Sequence, residues 1–236
     1  MTTESATFRQ KEALVKSVFN MHANEILHPN ILKMCRGKTT FCIVGNGKVL
    51  HSLSHIIDSC DIVVRMNNFS KENDKNKVGT KIDWHFMAVA DIETSKKWIT
   101  DEASIITPLE CDGVKRENTA KLNDFLPENR RGYTRNLEDL CATDSTRGFY
   151  ALLLCLKVKQ VLNSKTPIYI VGFGGAGHQF DPNWEIGHNN DVEHEIIQKF
   201  ILSGVVVHLD NPVMTNNWKA DMSVALLWSR ENNVPI

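Results

Sequence analysis

The feature that most constrains the fold of this chain is a set of short apolar runs, some of which end in glycine turns. These runs alternate with segments of helical spacing. The runs at residues 39–44, 61–66, 82–89, 104–107, 167–171 and 205–209 have strand composition, and helical spacing occupies residues 7–22, 49–57, 149–162 and 192–202. Buried strands that alternate with helices predict an α/β fold, with a mostly parallel sheet covered by helices on both faces. Such sheets bind ligands at the carboxyl ends of their strands.

The length of 236 residues predicts one domain or two small ones. Thr7 and Gln10 fit a capping box, which predicts that an N-terminal helix begins there. Pro29 and Gly37 interrupt the chain after it, so residues 1–38 are interpreted as an N-terminal helical extension of a core at 39–236. Residues 109–136 are polar and predict a loop or lid.

Composition excludes several classes of protein. The net charge of −1 provides no electrostatic basis for binding nucleic acid. No apolar run approaches the 18 residues of a transmembrane helix, and the first residues lack the pattern of a signal peptide. The six cysteines are scattered without a CxxC pair, which is typical of reduced, buried thiols. The sequence therefore predicts a cytoplasmic protein, or one peripheral to the inner face of a membrane.

Three polar segments follow or precede the predicted core elements. Gly45-Asn46-Gly47 ends the first strand and could receive a phosphate, although a tight turn explains it equally well. A nicotinamide fingerprint would need glycine where Leu50 stands, so an oxidoreductase is disfavoured. Arg65-Met66-Asn67-Asn68 could grip phosphate or ribose, or be a solvated strand end. Ser145-Thr146-Arg147-Gly148 could bind an anion, or simply cap the long apolar helix.

A fourth polar segment, residues 188–195, leads into the predicted amphipathic helix. His188 suits proton abstraction near neutral pH, since an unperturbed imidazole has a pKa of about 6.5. A capped helix with exposed charges is the alternative. No metal site is expected, because HSLSH at 51–55 lacks the glutamate of a zinc-protease motif and no DxD triplet occurs.

Together these segments resemble the sialyl motifs of glycosyltransferase family 29, the eukaryotic-type sialyltransferases. The large motif resembles CIVGNG at 42–47, IDS at 57–59, VVRMN at 63–67 and VGTK at 78–81. STRG at 145–148 followed by IVGFG at 170–174 is similar to the small motif, and Trp184-Glu185 to the third. His188 and Glu193 match the very small motif, H-x4-E. TRGFY at 146–150 is also similar to a stretch of the bacterial family 42 sialyltransferases.

The resemblance implies that residues 1–236 form a single Rossmann-like glycosyltransferase domain, a sialyltransferase-type variant of the GT-A fold. It also implies an inverting, metal-independent transfer of sialic acid from CMP-sialic acid to a hydroxyl of a glycan or glycolipid. It implies no cofactor. His188 would be the general base. The donor would be bound by Gly45, Asn46, Gly47, Asn67, Ser145, Thr146, Arg147, Gly148, Gly172, Phe173 and Gly174. The residues that would support this site without being assigned to the donor are Arg65, Trp184, Glu185 and Glu193.

Within that resemblance, Asn46 and Asn67 would contact the phosphate and ribose of CMP. Ser145, Thr146 and Gly148 would contact the phosphate or the donor carboxylate, and residues 172–174 would line the cytidine pocket. Arg147 stands beside the place of the donor carboxylate, and plant relatives are associated with Kdo-type sugars. One alternative is therefore a transferase of CMP-Kdo or a related nonulosonate on the same fold. The other is a catalytically idle CMP-binding module.

Overall fold

The structure is a computed structural model that describes residues 3–47, 49, 51–69, 75–87, 92–100, 103–108, 116–134, 146–173, 190–210, 227, 230–231 and 233–234. Its helices are α1 (Thr3–Asn20), α2 (Ala23–Ile26), α3 (Pro29–Met34), α4 (Ser54–Ser59), α5 (Lys75–Val78), α6 (Ile92–Trp98), α7 (Arg116–Phe125), α8 (Arg147–Val161) and α9 (Asn190–Leu202). Its strands are β1 (Phe41–Val44), β2 (Ile62–Met66), β3 (Trp84–Phe86), β4 (Ser104–Pro108), β5 (Arg131–Thr134), β6 (Ile168–Val171) and β7 (Val206–His208).

The seven strands form one sheet in the order β5-β4-β3-β2-β1-β6-β7, and every pairing is parallel. Strands β2 to β5 follow one another on one side of β1, and β6 and β7 lie on its other side. The order therefore reverses between β1 and β6, and the crevice outside their carboxyl ends is where ligands of such sheets bind. The predicted α/β fold with a parallel sheet is confirmed.

Both faces of the sheet are covered, as its all-parallel pairing requires. Side chains of β1 alternate between the faces, so Phe41 and Ile43 enter one core cluster while Cys42 and Val44 enter another. Helix α8 packs on the first face, against β1 and β2. Its residues are buried on every side from Phe149 to Lys159, which explains why its sequence is apolar without a clear stripe.

The N-terminal segment is packed directly onto this core. Leu14, Val15, Val18 and Phe19 lie on one face of α1 and join the main core cluster, where α1 contacts α8 and α9. The helix begins at Thr3, so the prediction of a cap at Thr7 is wrong, and Thr7 lies inside the first turns.

Two further predictions of local structure are wrong. The segment predicted as a loop or lid, residues 109–136, contains helix α7, a short 3₁₀ turn (Glu128–Arg130) and edge strand β5. Arg130 donates to the carbonyl oxygens of Thr100 and Ala103, which fastens the segment to the sheet. The helix predicted at 49–57 is shorter and later, at Ser54–Ser59.

Candidate active site

The turns that follow β1 and β6 meet at the switch point of the sheet. The amide of Gly45 donates to the carbonyl oxygen of Val171 at 2.7 Å, and that of Gly47 donates to the oxygen of Gly172 at 3.1 Å. A Cβ atom at either position 45 or position 47 would stand 2.5 Å from the oxygen of Gly172, closer than atoms can pack. Glycine is therefore required at both positions for the two turns to approach, whatever they bind.

Gly172 is constrained in the same way, and its φ of +70° is a backbone conformation that side chains strongly disfavour. Its amide lies 3.3 Å from a carboxylate oxygen of Asp210, the residue that follows β7 by two positions. The Nε2 atom of His208, at the end of β7, lies 3.0 Å from an oxygen of the same carboxylate. Asp210 thus links the end of β7 to the glycine turn that follows β6.

The end of β2 lies beside these turns. The side-chain amide of Asn46 donates to the carbonyl oxygen of Met66 at 3.4 Å. Asn67 follows with a φ of +44°, and its own amide donates to Phe86 on β3. The chain therefore turns sharply where β2 ends, which brings Asn46 and Asn67 to the same edge of the sheet.

The first turn of α8 completes this edge. A Cβ atom at Gly148 would lie 3.0 Å from the ring of Phe173 and 3.7 Å from the sulfur of Met66, so the helix starts directly against the β6 turn and the end of β2. Helix amino ends carry a partial positive charge and attract phosphate. The structure thus brings together the described parts of the segments that resemble the large and small sialyl motifs.

Glu193 holds the start of α8 in place. One carboxylate oxygen accepts the amide of Thr146 at 2.8 Å, and the other accepts its hydroxyl at 2.6 Å. The same hydroxyl oxygen accepts the amide of Phe149 at 3.1 Å, which makes Thr146 the N-cap of α8. Glu193 itself is 2% exposed and pairs at 2.7 Å with the ammonium of Lys11, which is fully buried.

His194, the residue after Glu193 in α9, fixes the turn that follows β6. A ring nitrogen of His194, Nε2, lies 3.0 Å from the carbonyl oxygen of Phe173. Because a carbonyl oxygen can only accept, Nε2 carries the hydrogen. Helix α9 therefore positions the start of α8 through Glu193 and the β6 turn through His194.

The two arginines of the candidate set have different surroundings. Arg65 is 2% exposed and donates to the carbonyl oxygens of Val78 and Lys81, so it fixes the loop after α5 and does not form a solvated strand end. Burial lowers its pKa, partly offset by Asp58, whose carboxylate receives the amides of Thr80 and Lys81. The conformation of the large-motif segment at 78–81 thus depends on Asp58 and Arg65.

Arg147 is the first residue of α8, and its guanidinium lies 5.6 Å from the centre of the Tyr150 ring, one turn along the helix. Burial lowers its pKa, and the proximity of Tyr150 acts in the opposite direction. A cation at this position adds positive charge to the amino end of the helix.

His85 supports the turn at Asn67. It is fully buried on β3, and its Nε2 donates to the carbonyl oxygen of Asn67 at 2.6 Å. Burial lowers the pKa of His85 from 6.5 to about 4, with the hydrogen bond to Asn67 acting in the opposite direction.

This buried imidazole predicts a loss of stability in mild acid. Between pH 6.5 and about 4 the unfolded chain binds a proton at His85 that the folded chain does not, so the free energy of unfolding should fall by about 3 kcal/mol as the pH drops through this range. Urea unfolding of His85→Gln should show a shallower pH dependence, while His55→Gln, on an exposed position of α4, should retain the slope of the unmodified protein. Equal slopes in all three proteins would contradict this prediction.

Five predicted site residues lie outside the described residues: Ser145, Gly174, Trp184, Glu185 and His188. Their roles remain predictions. Within the described part of the chain, no group of three or more His, Cys, Asp or Glu side chains is arranged to hold a metal ion. No helix in that part is long and apolar enough to cross a membrane.

Sequence reasoning missed three residues of this edge. Lys11 lies one helical turn before Leu14 and Val15 on the apolar face of α1, and a lysine on such a face is a signal for a buried partner. Asp210 follows the last strand at the edge where ligands bind, which was a readable signal. His194 offered no signal of its own, because its bond is to a backbone carbonyl oxygen.

Comparison with known proteins agrees with this geometry. Residues 2–107 match the model of glycosyltransferase family 29 (sialyltransferase). A mammalian sialyltransferase in complex with Gal-beta-1-3GalNAc-ortho-nitrophenol has a similar structure, with 17% identity and a TM-score of 0.56. Another structure of a mammalian sialyltransferase gives 18% identity and a TM-score of 0.53. Each alignment covers 89% of this chain and 80% of the other. No curated protein sequence matches.

The resemblance to family 29 is thereby confirmed. The matched residues contain the complete segment that resembles the large motif, and the overall fold is similar to that of the two solved sialyltransferases. The family match covers residues 2–107 of 236, and the similarity to the two solved structures is a similarity of fold.

Proposed function

We propose that this protein transfers sialic acid from CMP-sialic acid to a hydroxyl group of a glycan or glycolipid, with inversion and without a metal ion. The observation that carries the proposal is the convergence of the β1 turn, the β6 turn, the end of β2 and the start of α8 at the switch point of the sheet. These are the segments that resemble the large and small sialyl motifs.

The chemistry requires little beyond positioning. The donor carries its own leaving group, which departs as CMP, and the charge that grows on its phosphate needs hydrogen-bond donors or cations. The amino end of α8, with Arg147 in its first turn, provides positive charge at this edge. The acceptor hydroxyl must lose a proton as it attacks, and we assign that step to His188.

Glu193 has a positioning role in this scheme. It forms no bond to a reacting atom but orients Thr146, and with it the first turn of α8, toward the donor phosphate. Phe173, held by His194 through its carbonyl oxygen, and Gly172 would line the cytidine pocket. A reducing compartment such as the cytoplasm suits the described cysteines, since Cys35, Cys42, Cys60 and Cys155 are free thiols.

A transfer assay in the presence of EDTA tests the proposal. Purified protein supplied with CMP-sialic acid and a panel of galactosides should release CMP and form a sialylated product, with an unchanged rate when EDTA is added. CMP-Kdo in a parallel reaction identifies the donor, and CMP alone in a calorimeter detects a module that binds without turnover. Release of CMP from neither donor would contradict a transferase, and activity that EDTA abolishes would contradict metal independence.

A further inference from the structure

A cavity of about 570 Å³ lies at the edge of the sheet opposite to the candidate active site. Helix α8 connects the two places, since Thr146 caps its start at the active site and its last turn lines the cavity. Its 15 residues separate them by about 22 Å. The remaining walls are formed by the end of α1, the turn after α8, and Arg230, Asn233 and Val234.

Among the described residues that line this cavity, three are cations and none is a carboxylate. Lys159, Lys165 and Arg230 are the cations. Lys159 is 2% exposed, and among the described residues its ammonium has no hydrogen-bond acceptor and no ion-pair partner. Burial, together with the charge of Lys165, lowers the pKa of Lys159 from 10.5 to about 8. A buried ammonium that faces another cation without a counter-charge is unfavourable unless an anion joins it.

The carboxyl ends of α1 and α8 near this cavity do not supply that counter-charge. Each helix end contributes about half a negative charge, and the effect falls off within one turn. Their sum is below the positive charges of Lys159 and Arg230 alone.

The other walls of the cavity are neutral and polar. The amide of Gln160 donates to the backbone oxygens of Phe19 and Asn233, and the side chain of Asn233 donates to that of Asn20 at 2.6 Å. These bonds fix the C-terminal residues against the two helix ends, so the walls are formed without a ligand. Amide and hydroxyl groups of Asn163 and Ser164 add partners that suit the hydroxyls of a sugar or polyol.

We propose that this cavity binds a phosphate monoester on a hydroxylated body, such as a sugar phosphate or the phosphorylated headgroup of a lipid. Arg230 offers a planar fork to phosphate oxygens, and Lys159 and Lys165 neutralise the remaining charge. A phosphate dianion matches three cations better than a single carboxylate does. This site is separate from the donor site and does not depend on the proposed transfer reaction.

Calorimetry with the complete protein and a hexose phosphate tests the site. The unmodified protein should bind the probe. Lys159→Met, which keeps the packing of the side-chain stem, should weaken binding about tenfold or more. The double variant Lys165→Gln, Arg230→Gln changes only exposed residues, so it should fold and also weaken binding. Lys38→Gln, an exposed lysine that does not line the cavity, is the charge-matched control and should bind normally.

Vesicles identify the source of the phosphate. Retention on phosphatidylcholine vesicles only when they contain phosphatidylinositol phosphate, reversed by the hexose phosphate, indicates a lipid headgroup. Binding of the hexose phosphate without vesicle retention indicates a free metabolite. The site would be overturned if the unmodified protein bound neither probe, or if Lys159→Met and the double variant bound as the control does. Sialyl transfer by Lys159→Met should equal that of the unmodified protein, so the two proposals fail separately.

Discussion

Replacing Glu193 by glutamine should lower the free energy of unfolding by about 3–5 kcal/mol, the loss typical of a broken buried ion pair. The substitution keeps the shape of the side chain but removes the negative charge that stabilises the fully buried ammonium of Lys11 at 2.7 Å. It also weakens the bonds that hold Thr146 at the start of α8. Urea unfolding measures the stability, and initial rates with a CMP-sugar measure the effect on the site.

A second substitution separates charge from packing. Adding Lys11→Met to Glu193→Gln removes the stranded ammonium, so the double variant should recover much of the lost stability. If Glu193 positions the donor phosphate through Thr146, the double variant should remain impaired in KM for the donor even where its stability returns. Equal stability of the unmodified protein and Glu193→Gln would contradict the buried ion pair.

Replacing His188 by alanine should lower turnover by about 10²–10⁴-fold, the usual contribution of one positioned general base. Binding of CMP should be unchanged, because the nucleotide is assigned to the glycine turns and the start of α8. Single-turnover rates and calorimetry with CMP measure the two effects on one preparation. The pH dependence of the rate should also lose the ionisation of the imidazole.

The matched control is His55→Ala, which removes an exposed histidine of α4. It should have the turnover of the unmodified protein. Full activity in His188→Ala, or an equal loss in both variants, would remove His188 from the role of general base.

The strands were predictable because parallel strands are buried on both faces. That burial makes them short apolar runs, and every predicted run overlaps an observed strand, from Phe41–Val44 to Val206–His208. Strand β5, with the sequence RGYT, was missed because it is an edge strand preceded by polar residues. Its place is fixed by pairing with β4, a partner that local composition does not reveal.

The helix at 54–59 shows where periodicity failed. Val49 and Leu53 have helical spacing with Ile57 and all three are buried in one cluster, yet only Ile57 is helical. The amide of Leu53 bonds to the carbonyl oxygen of Lys77, and Ser52 bonds to that of Asn76. Tertiary hydrogen bonds thus hold Ser52 and Leu53 outside the helix, although the apolar pattern alone indicates a helix there.

The candidate site was predictable in its segments but not in its internal bonds. Glycine turns at strand ends and a capped helix start were visible in the sequence. The reason for the glycines was not, because Gly45 and Gly47 are required by the oxygen of Gly172, more than 120 residues away. Likewise Lys11 and Glu193 are 182 residues apart and meet only in the folded chain.

A crystal structure with CMP or an unreactive CMP-sugar decides whether these turns form a nucleotide site. We expect the cytidine beside Gly172 and Phe173, the phosphate near Asn46 and the first turn of α8, and the imidazole of His188 facing the anomeric carbon. A nucleotide bound away from the β1–β6 crevice, or a His188 ring on the other side of the sheet, would contradict the proposed enzyme.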